Sequence, residues 1–206
     1  QIPHKASRNL AKLGVRALLT PVWLEPNRIR LISGTSLHER AAVPSGPAAR
    51  ARWEAPYGVL HRTSLQGALL AAVKDNPLCT LHLGSRIESG DIAAITRAGG
   101  VIIGADGVWS KTRDLVADSP SSRFSGNIAY RFTVSAADAR GSLTRESVSA
   151  FLGPSAHLVA YPLRETDSFN MVAITTGHAA TREWLAQPTQ AQRQQLLARF
   201  SRWSPA

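Results

Sequence analysis

Apolar positions along this chain change their spacing from stretch to stretch. At Ala6, Leu10 and Leu13 they follow the i, i+4, i+7 rhythm of a helix face, and Gly14 stands where a C-terminal cap belongs. Ile29-Arg30-Leu31-Ile32 is a β-prone run, Ser33-Gly34 is a turn signal, and residues 37–43 are expected to pair back as a hairpin. Pro44-Ser45-Gly46-Pro47 is a loop by composition. Residues 59–61 are extended. Thr63 then opens a predicted helix, with Gln66 at capping-box spacing. Leu65, Ala68, Leu69 and Ala72 form its stripe, and Asn76-Pro77 ends it. Residues 80–83 and 101–103 are predicted strands, the second a buried one.

From residue 128 the rhythm becomes that of a sheet. β-like runs at 128–134, 147–151, 158–161 and 169–175 are separated by turn signals at Ala137-Asp138, Gly153-Pro154 and Glu165-Thr166-Asp167. Thr189 and Gln192 repeat the capping-box spacing ahead of Leu196, Leu197 and Phe200. Helix–strand units that give way to a mostly antiparallel sheet predict a mixed α/β (α+β) fold with two subdomains.

The 206 residues suffice for one domain or two small ones, and 44% hydrophobic composition supports a packed core. No apolar run is long enough to span a membrane, and Gln1-Ile2-Pro3-His4-Lys5 lacks the apolar core of a secretory signal. The single Cys79 excludes an internal disulfide and any multi-cysteine metal site. It fits a reducing compartment, so a cytoplasmic location is expected. His4, His38, His61, His82, His157 and His178 lack metal-ligand spacing, and no metal is expected. Trp53, Trp109 and Trp184 are read as packing residues.

A formal net charge of +10 brings nucleic acid to mind. The 24 Lys and Arg are scattered, however, without a block of like charge or interleaved aromatics, so no nucleic-acid partner is expected. The charge suits small anions such as phosphates and carboxylates instead. Motifs for nucleoside triphosphates, zinc proteases and serine hydrolases are all absent, as is G-x-G-x-x-G.

The densest local signal runs from Val101 to Arg113. An apolar stretch stops at Gly104, the acidic turn Gly104-Ala105-Asp106-Gly107 follows, and Ser110 opens a short helix carrying Lys111 and Arg113. A turn and helix start beside a carboxylate and two cations suit the hydroxyls, ribose and pyrophosphate of a dinucleotide.

Three blocks in order resemble the FAD-dependent aromatic hydroxylases, or class A flavoprotein monooxygenases, of the salicylate and 3-hydroxybenzoate hydroxylase branch. Val59-Leu60-His61-Arg62-Thr63-Ser64-Leu65 resembles that family's "hR-x-x-L" segment, and residues 104–113 resemble its "GADG-x-x-S-x-x-R" motif. Residues 151–163, with Phe169-Asn170-Met171-Val172, are similar to its substrate-side sheet. At the start of the chain, His4-Lys5 stands where the family usually has Pro-Asn.

The resemblance implies FAD as cofactor, NAD(P)H as reductant, O2 as co-substrate and a hydroxybenzoate-like aromatic substrate, and it leaves a homodimer open. It implies a partial Rossmann-like FAD-binding domain (1–20 and 56–121) and an antiparallel substrate-binding sheet domain (21–55 and 122–206). Arg62, Gly104, Asp106, Gly107 and Arg113 are its cofactor-side candidates, with Asp106 equally readable as a structural turn residue and Ser110 as an N-cap. Tyr130, Arg131, His157 and Tyr161 are the substrate-side candidates. No side chain is assigned a catalytic role, because the flavin carries the difficult chemistry. The family's N-terminal glycine-rich unit and its later "GDAAH" segment are missing, so a fragment is expected. The competing expectation is an inactive remnant that binds a ligand or partner.

Overall fold

The computed structural model describes residues 1–97, 101–139, 141, 143–177 and 189–204; His178 and Trp184 lie outside them. Backbone contacts divide the chain into Gln1–Cys79 with Gly126–Ala206, and a smaller unit, Thr80–Ser125.

The larger unit begins with α1 (His4–Lys12) and the short α2 (Val15–Leu18), separated by Gly14 at φ 72°, the left-handed conformation that ends one helix and starts the next. Leu10, Val15, Leu19, Trp23 and Leu60 form a buried cluster, onto which α4 (Arg62–Lys74) lays Leu65, Ala68 and Ala72. Leu13 and Leu69, expected in the apolar stripes, are exposed instead. Leu13 already lies past the last residue of α1, where the helix rhythm no longer sets its direction.

A six-stranded sheet fills the rest of this unit. Its strands are β1 (Arg28–Ser33), β2 (Glu39–Pro44), β3 (Asn127–Ser135), β4 (Ser147–Gly153), β5 (Ala156–Leu163) and β6 (Ser168–Thr176), in the spatial order β2-β1-β4-β5-β6-β3. All neighbours are antiparallel except β1 and β4. That parallel pair joins the N-terminal hairpin to the later meander, and each predicted strand from 128 onward is present. Two further helices belong to this unit: α3 (Pro47–Trp53), which follows β2 and begins inside the predicted loop with proline in its first turn, and α6 (Gln190–Phe200), which follows β6. The expected capping box of α6 is formed by Thr189 and Gln192.

One sheet face packs Val148, Val159, Ile29 and Tyr161 against Tyr57 and Val59. The other packs Ala160, Phe169 and Met171 under Ala136, Ala139 and Leu143. Tryptophan does more in this core than the sequence suggested, though at other positions. A Cβ on Gly58 would lie 2.2 Å from the Trp23 ring, and one on Gly34 would lie 2.5 Å from the Trp203 ring. Trp53, by contrast, is exposed; His4 stacks on it and Arg52 sits over its ring.

The smaller unit contains a helix the sequence did not suggest, α5 (Ser89–Arg97), and one 3-10 turn (Thr112–Leu115). Residues 80–83 and 101–103 are not strands, and Val101 and Ile103 are 90% and 83% exposed. Among the described residues the smaller unit contains no strand, so neither run has a strand within its own unit to receive its backbone hydrogen bonds. Among the described residues, no helix is long and apolar enough to cross a membrane.

Candidate functional site

In the smaller unit, the acidic turn is tied together by Asp106. Its Oδ1 accepts from the hydroxyls of Ser110 (2.6 Å) and Thr112 (2.5 Å), and its Oδ2 from the backbone N–H groups of Lys111 (2.7 Å) and Thr112 (3.2 Å). These donors favour the ionised form. The Ser110 and Thr112 hydroxyls, followed by the backbone groups, hold its carboxyl well below the usual carboxylate range.

Arg113 reaches back across the same turn, donating from Nη1 to the Val108 carbonyl (3.1 Å) and from Nη2 to the Gly107 carbonyl (3.3 Å). The Ser110 hydroxyl accepts from the Arg113 N–H at 3.0 Å, so it acts like a cap, although the 3-10 turn begins only at Thr112. Gly107 has φ 84°, and a Cβ on Gly104 would collide with the Thr112 side chain at 2.2 Å. Gly104, Asp106, Gly107 and Arg113 therefore gather around one cavity of about 380 Å³ that Ile92 and Ile102 also line. Both carboxylate oxygens of Asp106 are occupied by the turn itself.

In the larger unit, Arg62 is the first residue of α4, one position earlier than the predicted start. The cap is His61, not Thr63: its Nδ1 accepts from the Thr63 N–H at 3.3 Å while its own backbone stays extended. Glu165, from the turn between β5 and β6, accepts at Oε1 from the His61 N–H (2.8 Å) and the Ser64 hydroxyl (3.0 Å). Arg62 itself is exposed, and no described residue bonds its guanidinium. That free planar fork of donors matches phosphate and sugar oxygens.

Strand register sorts the substrate-side candidates. Arg131 faces Val172, which faces Val159; His157 and Tyr161 alternate with Leu158 and Ala160 along β5. Arg131, His157 and Tyr161 thus share the face that carries Tyr57 and Val59. Tyr130 lies in register with Ala173 and Leu158 on the opposite face, so the structure separates it from the other three.

The sequence reading missed Tyr57. It is 7% exposed, and its hydroxyl is buried without a partner among the described residues. Burial, and then the neighbouring Tyr161, push this phenol up to about 12. Burial also raises the Tyr161 phenol, which the Arg131 cation partly offsets. The available signal was the extended stretch around Gly58: Tyr57 and Val59, two apart, must point to the same side. A wider cleft of about 620 Å³, lined by Arg16, Trp23, Arg145 and Arg164 among others, contains none of the predicted site residues.

No family model matches the chain. It is 27% identical over 193 residues to 3-hydroxybenzoate 6-hydroxylase 1 of Aquipseudomonas alcaligenes, covering 89% of this chain and 49% of that one. It is 34% identical over 141 residues to the 3-hydroxybenzoate 6-hydroxylase of Polaromonas naphthalenivorans (strain CJ2), covering 63% of this chain and 35% of that one. The chain spans about half the length, or less, of the curated relatives it matches. Its fold is similar to that of Klebsiella pneumoniae HpxO complexed with FAD and uric acid (TM-score 0.69, 17% identity, 97% of this chain and 51% of that one). It is also similar to a salicylate hydroxylase substrate complex (TM-score 0.63, 16% identity, 95% and 53%). Over part of their length the chain is thus similar to proteins named 3-hydroxybenzoate 6-hydroxylase and, at 31% identity, to the FAD-dependent monooxygenase atnJ of Arthrinium sp.

Proposed function

We propose that this chain is part of a FAD-dependent monooxygenase that hydroxylates a hydroxybenzoate-like aromatic acid with NAD(P)H and O2. The observation that carries the reading is the sheet face that presents Arg131 and Tyr161 in the larger unit, against which Tyr57 packs with its hydroxyl unpartnered among the described residues. A cation beside two phenols is the donor set for a ring bearing both a carboxylate and a hydroxyl.

In this reading Arg131 pairs with the carboxylate. Tyr161 binds the ring hydroxyl, and Tyr57, whose phenol stays protonated to about pH 12, gains a partner there. His157 borders the same face. The apolar floor of Val148 and Val159 keeps water from the ring. Residues 21–55 and 122–206 act as the substrate domain, joined there by Tyr57, and the remainder of residues 1–20 and 56–121 acts on the cofactor side.

A bound FAD would supply the redox chemistry, with NAD(P)H as reductant and O2 as the source of the oxygen atom inserted into the ring. The free guanidinium of Arg62 fits a cofactor's phosphate or ribityl oxygens. Gly104, Gly107 and Arg113 shape the second cofactor-side element. Asp106 serves it by holding the turn, because its own acceptors are already engaged. The length that the relatives have beyond this chain is proposed to supply the glycine-rich unit.

The test is flavin binding and NAD(P)H oxidation by the whole protein with 3-hydroxybenzoate and salicylate. The reading predicts a yellow protein whose NAD(P)H consumption rises with one of these acids. A protein that stays colourless in added FAD but binds the acids favours the inactive ligand-binding module.

A further inference from the structure

Glu165 reaches from the turn between β5 and β6 to the start of a helix 104 positions earlier in the chain. Its Oε1 holds the chain on both sides of Arg62, through the His61 N–H at 2.8 Å and the Ser64 hydroxyl at 3.0 Å. Its Oε2 is buried and takes no hydrogen bond among the described residues, and none of the described ion pairs includes Glu165. A cap alone does not need this residue, since the His61 ring already accepts from the Thr63 N–H.

The residue so bracketed is at an electrostatic disadvantage. Arg62 places a cation at the positive end of a 13-residue helix. A carboxylate at the same end offsets that field, and it also fixes the backbone from which the guanidinium projects. Because its charge is not spent on another cation, its field acts on the helix start.

We propose that Glu165 is the positioning residue for Arg62. It anchors residues 61–64 and supplies the negative charge that allows an unpaired guanidinium to stand at a helix N-terminus, ready for a phosphate-bearing ligand. The identity of that ligand as FAD rests on the function proposed above; the anchoring does not.

A double-mutant cycle tests this. Glu165→Ala, Glu165→Gln, Arg62→Gln and the Glu165→Ala/Arg62→Gln pair are compared with wild type for FAD affinity and for amide exchange at His61. Glu165→Ala is expected to weaken FAD about tenfold, with little further loss when Arg62→Gln is added, because contacting or coupled residues are non-additive. His61 exchange should accelerate in Glu165→Ala. Glu165→Gln keeps an acceptor for both donors, so it should restore slow His61 exchange and part of the affinity.

Additive losses, or unchanged His61 exchange in Glu165→Ala, would overturn the proposal. A wild-type protein that binds no FAD would sink the flavin reading alone. The same cycle read with inorganic pyrophosphate, together with the exchange data, then decides the role of Glu165.

Discussion

Tyr57 and Asp106 are opposite cases of a polar group out of the ordinary. The Tyr57 hydroxyl is buried and unsatisfied, so removing it should cost the fold nothing. Tyr57→Phe is expected to leave the unfolding free energy unchanged or slightly raised, and to weaken binding of a hydroxybenzoate about fivefold, the loss of one neutral hydrogen bond of about 1 kcal/mol. Calorimetry of unfolding and of ligand binding on the same variant reads both effects. Equal losses in both would make Tyr57 a packing residue only.

Asp106 is satisfied four times over, and its folded pKa is depressed. Its stabilising contribution is therefore complete above the ordinary aspartate value of about 4 and fades as pH falls through the lowered folded value. Wild type should lose protection of the Lys111 and Thr112 amides on acidification below about pH 4. Asp106→Asn should show weaker protection with little dependence over that window. Hydrogen exchange across an acid series measures it; identical pH profiles would contradict the account.

At this scale the sequence left Asp106 equally readable as a cofactor-side or a turn residue; its hydrogen bonds to Ser110, Lys111 and Thr112, all within six positions, are the part that local spacing could show. The sequence did not mark Tyr57 or Glu165. Their significance comes from residues far away in the chain, Tyr161 and His61, and no local spacing carries that.

Elements were legible where alternation or a capping box marked them, and not at α3 and α5, whose backbone partners are just as local. The four late strands and the capping box of α6 follow from period-two and capping patterns that the fold satisfies. Residues 101–103 have the composition of a strand, yet no strand lies in their unit to pair with, so propensity alone left them exposed. Tyr130 and Arg131, read together as substrate-side candidates, part for a simpler reason: adjacent strand residues face opposite ways.

The extended segment around Gly58 joins helices to sheet. It bridges to Ile2 on one side, and its neighbour Val59 bridges to Leu24, with the Trp23 ring pressed on Gly58. Gly58→Ala should cost about 1–3 kcal/mol through overpacking, read as a lower urea midpoint with unchanged slope. A midpoint at or above that of wild type would show that the Trp23 ring moves aside freely.

For the whole molecule, composition narrowed the field and motif order identified the relatives, but neither could supply the three-dimensional site. The net charge of +10 suggested anionic ligands. The proposed function uses that charge at two places, the unpaired Arg62 at a helix start and Arg131 beside Tyr161. What the sequence left open was which aromatic residues stand near a cation, because that depends on the register between β3, β6 and β5.

The most direct measurement is a titration of the FAD-loaded whole protein with 3-hydroxybenzoate, followed by the change in flavin absorbance, for wild type and Arg131→Ala. The account predicts a saturable change in wild type and a Kd raised roughly ten- to a hundred-fold in the variant, the loss of one charge-assisted hydrogen bond. A flavin spectrum indifferent to the acid, or equal Kd values for the two proteins, would contradict it.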